Sequence, residues 1–445
     1  MAGLPNPISL EQLLIKYPTK ELLFNYLDSN LNLFHRELYD VPNDINTEEY
    51  DNGCKVNLKL MSYNMLAQSL ASSSMFPTAG KLTSWKYRNQ YLIYELLQRD
   101  ADVYCLQELD AQYLKYWETF FKNIMGLNCK FVRYGAKNHG CFIAYSLQKF
   151  EVELEFFSSI NFDDEVVDTE NPSIYNGAKL TKTCNIGMLM VLNYKSTYLE
   201  SIGYVSTHKK GIIIGTAHLF WHPFGTFERT RQNYILLKKL QLLKQIYVEK
   251  DYTAFFLGDF NAQPYLAPYE AMVLSKPVRF DENKESFFYL NGSMEYDFQN
   301  EKNPFSKDPT TTECHYIPEN ISIVKQLETC FNKLPMRAIS MYGHSYSKVD
   351  KLNSIEKNHM EPDVSNSCGG FTGLLDYIFL IVDEKDLEVN VEEKYKNLYE
   401  SHKVNIKKLL QVPTLKSLPS NNEIMFPIVS GSDHFSLFCE LDIHL

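Results

Sequence analysis

The sequence predicts an α/β protein. Twice an apolar, strand-like run is followed by a helical stretch and then by a second apolar run. The first unit is KVNLKLMSYN, a helix opening near Thr83 or Ser84, and DVYCLQELD; the second is GIIIGTAHL, a helix over Asn233 to Glu249, and TAFFLGD. Between them CKFVRYG, GCFIAYSL and NIGMLMVLNY alternate with polar loops, as strands of an antiparallel sheet do. At 445 residues, 44% hydrophobic and 14% aromatic, the chain can bury a sizeable core and is not disordered.

Residues 1–55 form an accessory segment. Short amphipathic pieces flank Pro18, with Leu23, Tyr26, Leu27 and Leu31 on one helical face, and the acidic, turn-rich DVPNDINTEEYDNG reads as a linker. The main domain runs from residue 56 to residue 445. In its first strand Val56, Leu58 and Leu60 alternate with polar neighbours up to Asn64. The helix that follows repeats Trp85, Leu92 and Leu96, and the next strand places Glu108 near its end. GIIIGTAHL ends on His218, the following helix carries Leu236, Leu240, Leu243 and Tyr247 on one face, and TAFFLGDFNAQP breaks off into Gly258, Asp259 and Asn261. From an extended chain the side chains of Asp259 and Asn261, two residues apart, point the same way. Residues 265–365, rich in Tyr, Asn, Ser and Glu, read as helices and long loops on one rim of the sheet. LLDYIFLIV then carries Asp376, and GSDHFSLFCEL sets Asp433 and His434 just before the last strand.

A formal charge of −11 argues against coating nucleic acid by bulk electrostatics, yet carboxylates that hold divalent cations still present a positive face to a polyanion. The nine cysteines are dispersed and never spaced as CxxC, which predicts reduced thiols in an intracellular protein, cytoplasmic or nuclear. In His139-Gly140-Cys141 the cysteine opens an apolar run and reads as a small buried residue. No targeting signal and no stretch of membrane-spanning length is expected.

Asn64, Glu108, His218, Asp259, Asn261, Asp376, Asp433 and His434 all fall at or beside the ends of apolar strands. Any one of them reads as a turn residue; together they make a constellation. Their oxygens suit a hard cation such as Mg²⁺, with Mn²⁺ able to substitute, and imidazole can join them. A zinc site is disfavoured, because there is no cysteine cluster and no HExxH.

SYNML, LQELD, AHLFWHP, GDFNAQP, LLDYIF and GSDHFSL, in this order, resemble the endonuclease/exonuclease/phosphatase superfamily, and within it the nocturnin/Angel branch of RNA 3′-exonucleases and deadenylases, fungal members included. The resemblance covers residues 56–445. It implies a two-layer β-sandwich flanked by helices, a four-layer arrangement, with Mg²⁺-dependent phosphodiester hydrolysis at the strand ends. By that likeness Glu108 holds one metal, with Asn64 nearby. Asp259, Asn261 and His434 surround a second metal or the attacking water. His218 binds the scissile phosphate, and Asp376 and Asp433 orient His434 and the phosphate. Phe371 and Pro223 match positions beside a nucleobase.

Arg88, Arg229 and Arg231 are candidate phosphate contacts. Cys368-Gly369-Gly370 departs from the polar and aromatic run that this branch carries before the phenylalanine, which weakens an adenine preference. The expected activity is 3′→5′ exoribonuclease action on RNA with a free 3′ end. The alternatives are a nocturnin-like phosphatase or phosphodiesterase acting on a dinucleotide or other small phosphate ester, and a catalytically silent RNA-binding scaffold. With no leucine-rich docking region in view, a stand-alone monomer is expected.

Overall fold

A computed structural model describes residues 4–31, 33–42, 53–167, 182–205, 210–247, 252–273, 278–281, 285–295, 317–368, 370–383, 402–418, 424–425 and 429–445. The chain opens with helices α1 (Leu10–Lys16) and α2 (Lys20–Asn30) and strand β1 (Leu38–Asp40). There follow β2 (Lys55–Asn64), α3 (Trp85–Arg99), β3 (Val103–Asp110), α4 (Leu114–Thr119), β4 (Leu127–Val132), β5 (His139–Ser146), β6 (Phe150–Asn161), β7 (Ile186–Tyr194), α5 (Ser196–Ser201), β8 (Gly211–His218), α6 (Thr226–Ile246) and β9 (Thr253–Asp259). The remainder comprises α7 (Ala267–Val273), α8 (Glu285–Gly292), α9 (Ile321–Lys333), β10 (Met336–Ser340), α10 (Met341–Ser345), β11 (Asn366–Cys368), β12 (Phe371–Gly373), β13 (Asp376–Asp383), β14 (Val404–Leu410) and β15 (Leu437–His444).

The strands form a seven-stranded sheet in the order β1-β14-β15-β2-β3-β5-β4 and a six-stranded sheet in the order β10-β13-β9-β8-β7-β6, with β11 and β12 as a separate hairpin. Residues from the two sheets interdigitate in one core, where Leu58, Val103 and Ile143 meet Met190, Ile212, Leu257 and Ile378. The outer faces bury two further cores. Leu236, Leu240 and Phe331, from α6 and α9, cover the six-stranded sheet, and Trp85, Leu92, Leu96 and Trp117 cover the other. This is the expected sandwich of two sheets flanked by helices.

Each sheet contains a single kind of unit at its centre. The parallel pairs are β2 with β3, joined through α3, and β8 with β9, joined through α6. Both crossovers bring the carboxyl ends of their strands to the same rim. The antiparallel neighbours β13 and β15 begin where β9 and β2 end, since Asp376 pairs with Asp259 and Leu437 with Ser62. Gly258 permits the close approach of β8, because a Cβ there would lie 2.3 Å from the carbonyl of Ala217.

Some expectations needed adjustment. Helix α6 starts at Thr226 rather than Asn233 and ends at Ile246. Its first turns are polar but buried: Glu228 and Arg231 form an ion pair at 2.9 Å inside the protein. Strands β6, β10 and β14 were not foreseen; β6 and β10 are the edge strands of their sheet. The accessory segment packs Leu10, Leu13, Leu23 and Leu27 into the core beneath α3, and β1 pairs with β14. Cys54, Cys105, Cys129, Cys141, Cys184, Cys330, Cys368 and Cys439 are all free thiols. Among the described residues no helix is long and apolar enough to cross a membrane.

Candidate active site

The strand ends converge. Asn64 terminates β2, and its Nδ2 donates to Asp259 Oδ2 at 2.9 Å and Glu108 Oε1 at 3.3 Å. Glu108 sits in β3 at a break in register with β5 and has φ of 55°. That left-handed conformation is unfavourable for a residue with a side chain, and a bulge of this kind re-aims the carboxylate out of the strand's alternation. Its other oxygen accepts from the Ala67 amide at 2.9 Å. His218, ending β8, lies between the two acids, Nδ1 at 3.7 Å from Glu108 and Nε2 at 3.6 Å from Asp259.

On the far side His434 Nδ1 meets Asp376 Oδ2 at 2.8 Å, while Nε2 faces Asp259 at 3.8 Å and Asp433 at 4.0 Å. Ser365 Oγ donates to the same Asp376 oxygen at 2.6 Å and accepts from the amides of Leu375 and Asp376. Asp433 is held by Asn366 Nδ2 at 3.3 Å, and Ser432 Oγ, which donates to the Asn64 carbonyl, accepts from the His434 amide.

Asn261 arrives differently from the extended-chain expectation. The strand stops at Asp259, and Asn261 adopts φ of 48°, a left-handed conformation that Asn tolerates better than most residues. Its amide donates to Asp259 Oδ1 and its Nδ2 to the Leu219 carbonyl, each at 2.9 Å.

These buried acids and histidines set each other's charge. Burial pushes Asp259 up to about 7, reinforced by repulsion from Asp376. Burial also raises Asp433. For Glu108 burial is outweighed by His218, His139 and the Ala67 amide, which hold it down at about 2. Burial lowers His218 to about 3 and so keeps it neutral. Burial acts the same way on His434, but Asp376 and Asp433 overcome it and raise it to about 10. Glu108, Asp259, Asp376 and Asp433 together are more negative charge than one imidazolium offsets, in a place closed to solvent. A divalent cation fits that imbalance and the oxygen-rich donor set. Atoms of Asp259, Asp376 and His434 lie within 4.8 Å of one another.

The arginines stand elsewhere. Arg88 is fully buried and donates to the carbonyls of Met65 and Gly431, tying the loop after β2 to the turn before β15. Arg231 is engaged by Glu228 and the carbonyls of Phe162 and Glu165, and Arg229 by those of Phe220, His222 and Pro223. All three guanidiniums are buried and brace loops through backbone carbonyls, which corrects the reading of Arg88 and Arg231 as exposed substrate contacts. Pro223 and Phe371 are half-buried. Phe371 opens β12, whose partner β11 donates the Ser367 amide to the Asp433 carbonyl. Ser365, Asn366 and Ser432 are contributors that sequence reasoning did not assign; they carry no strand-end signal.

A sandwich of two sheets whose facing strand ends gather acids, amides and histidines defines a class, and the chain belongs to the Endonuclease/Exonuclease/phosphatase family, whose model matches residues 61–312. More particularly, it is 32% identical over 420 residues to RNA exonuclease NGL2 of Saccharomyces cerevisiae, covering 87% of this chain and 78% of that one. It is 30% identical over 413 residues to the probable RNA exonuclease NGL3 of the same yeast, covering 87% and 76%. Among solved structures, ANGEL2, a 2′,3′-cyclic phosphatase in complex with adenosine-2′,3′-vanadate, has the same fold with a TM-score of 0.58 at 17% identity, covering 93% of this chain and 100% of that one.

Proposed function

We propose that the protein is a Mg²⁺-dependent 3′→5′ exoribonuclease that releases nucleoside 5′-monophosphates from poly(A) tails or from the 3′ ends of structural RNA. The observation that carries this reading is the gathering of Glu108, Asp259, Asp376 and Asp433 with His218 and His434 at one rim. It is supported by the likeness to yeast proteins named as RNA exonucleases. The catalytic domain is taken as residues 56–445, acting as a monomer on RNA with a free 3′ end.

In this reading Glu108 and Asn64 hold a cation on one side, and Asp259, Asn261 and His434 complete the set on the other. The bound cation supplies neutralisation of the phosphate and activation of water. Asp259 positions the attacking water or takes its proton. His434, kept protonated by Asp376, presents Nε2–H to the phosphate as charge builds, with Asn261 beside it. Neutral His218 contacts the scissile phosphate through a ring nitrogen, Asp433 steadies the His434 turn, and Phe371 and Pro223 frame the terminal base.

The test uses labelled A-rich and mixed-sequence RNA with Mg²⁺ or with EDTA, beside Asp259→Ala. Stepwise shortening from the 3′ end, abolished by EDTA and by the substitution, is expected. No cleavage by the unmodified protein, or equal cleavage by the variant, overturns the reading; phosphate release from NADP(H) with RNA untouched transfers it to a dinucleotide.

A further inference from the structure

The turn that carries His434 is bound on its front by Ser365 and Asn366. Behind it the packing of Val429, Phe435 and Leu437 into the core is interrupted. A cavity of roughly 270 Å³, lined by Asp28, Phe34, Tyr63, Tyr94 and Ser430 among others, separates the turn from α2 and α3. Two side chains meet Ser436 at the back of the turn: Glu95 of α3, and Arg36 from the N-terminal segment, outside the stretch matched by the family model.

Arg36 is 6% exposed and all its nitrogens are engaged. Nη2 donates to the Ser436 carbonyl at 2.6 Å and Nη1 to Ser436 Oγ at 3.0 Å. Nη1 also reaches Glu95 at 3.3 Å, and Nε donates to the Gln411 carbonyl at 2.9 Å. The guanidinium lies over the ring of Phe435 at 5.1 Å. Phe435 directly follows His434, and its amide donates to the Ser365 carbonyl at 2.7 Å. Ser436 Oγ in turn donates to Glu95 at 2.5 Å. The residues just after His434 are therefore gripped from the front by Ser365 and from behind by a planar fork anchored on α3.

The cavity interrupts packing on that side of the turn, where polar ties take its place. Beside Arg88 on the Gly431 carbonyl and Ser432 on the Asn64 carbonyl, which hold the residues before His434, the Arg36 fork is the directional tie that holds those after it, and so helps set the reach of His434 toward Asp259 and Asp376.

We propose that Arg36 is a positioning residue for His434, which makes the N-terminal segment a working part of the active site. The proposal rests on the phosphodiesterase reading only for its kinetic test. Arg36→Lys keeps a cation beside Glu95 but loses the fork on Ser436; Ser436→Ala removes one acceptor of Arg36, and with it the bond from Ser436 Oγ to Glu95, while leaving the Arg36 guanidinium and its bond to the Ser436 carbonyl in place. With a metal-dependent RNA assay on the full chain, Arg36→Lys is expected to lower kcat about tenfold with KM within about twofold, at temperatures well below its melting point, and Ser436→Ala to give a smaller loss in the same direction.

Independently of any substrate, the His434 ring resonances in ¹H–¹⁵N spectra should shift in both variants while those of His344 stay. Unchanged kcat together with unchanged His434 resonances in a folded Arg36→Lys protein overturns the proposal. An inactive unmodified protein counts against the RNA reading alone, and the spectra then decide the role of Arg36.

Discussion

Replacing Ser365 by alanine should damage catalysis more than its distance from any metal suggests. The hydroxyl is fully buried and makes three bonds: it donates to Asp376 Oδ2 at 2.6 Å and accepts from the amides of Leu375 at 3.0 Å and Asp376 at 3.2 Å. Because both amides point at Oγ, its own proton is directed to the carboxylate. Losing a hydrogen bond to a charged group costs about 1.5–3 kcal/mol, and each stranded amide adds about 1 kcal/mol or more. About 4 kcal/mol of stability is the expected loss, which in a chain of this size lowers the melting temperature by about 4 °C.

The kinetic consequence is separate. Asp376 Oδ2 takes both the Ser365 hydroxyl and His434 Nδ1, and among the described residues its Oδ1 has no hydrogen-bond partner, so without Ser365 the carboxylate keeps only its bond to His434 among these. A kcat reduced about tenfold, equivalent to ~1.4 kcal/mol, with KM little changed, is expected in RNA-cleavage kinetics, and Ser365→Thr should restore part of it. A melting temperature lowered as expected with kcat within about twofold of the unmodified protein would refute the reasoning.

Asp259→Asn should melt higher than the unmodified metal-free protein at pH 8 by differential scanning calorimetry and yet be inactive, because Asp259, raised to about 7, is ionised there at a cost to the fold. Equal or lower melting would count against that account of the charge balance. Glu361, buried and pushed up to about 7 by burial, accepts from Tyr269 Oη at 2.7 Å. Since the folded state holds this proton more tightly than the unfolded chain, its contribution is complete below the ordinary carboxylate pKa and is lost as pH rises through about 7; the loss is on the order of 3 kcal/mol. Denaturant titrations of Glu361→Gln should therefore show its stability relative to the unmodified protein improving from pH 5 to pH 8, and a pH-independent difference would argue otherwise. Arg229→Met strands the carbonyls of Phe220, His222 and Pro223. Urea unfolding should show a loss of about 3 kcal/mol and kinetics a raised KM, as the loop beside the base position loosens.

The acidic rim was legible because buried strands are monotonously apolar, so a run that ends in Asn64, His218 or Asp259 stands out. Asp376 and His434 were legible for the mirror reason, lying where apolar strands begin. What the linear pattern could not convey was pairing across long separations. Arg36 and Ser436 are 400 positions apart, and Arg36 in isolation looks like any charged residue before a strand. The start of helix α6 was read seven residues too late because TFERTRQ is polar, although its side chains are buried against one another and against backbone carbonyls. The arginines there and on α3 were taken for phosphate contacts for the same reason: charge suggests solvent, and only the fold shows these charges spent on carbonyls. Asn261 was expected to follow Asp259 along an extended chain, but a turn delivers it.

The short contacts at the centre of the site share a property of their own. Asn64 with Asp259, Glu108 with His218, and the turn leading into β15, through His434, with Asp376 each join one sheet to the other; so does the bond just beneath them, from Gln107 Nε2 to Thr216 Oγ1 at 3.0 Å. The site is thus built across a slip plane. Between the layers lie mainly apolar side chains, which resist separation well and sliding less well. A shear of half an ångström would leave each sheet intact and its stability nearly unchanged, yet it would alter all of these distances at once. The alignment of the layers is therefore itself a determinant of activity, and volume changes deep in the interlayer core would be felt at the rim as detuning rather than as unfolding.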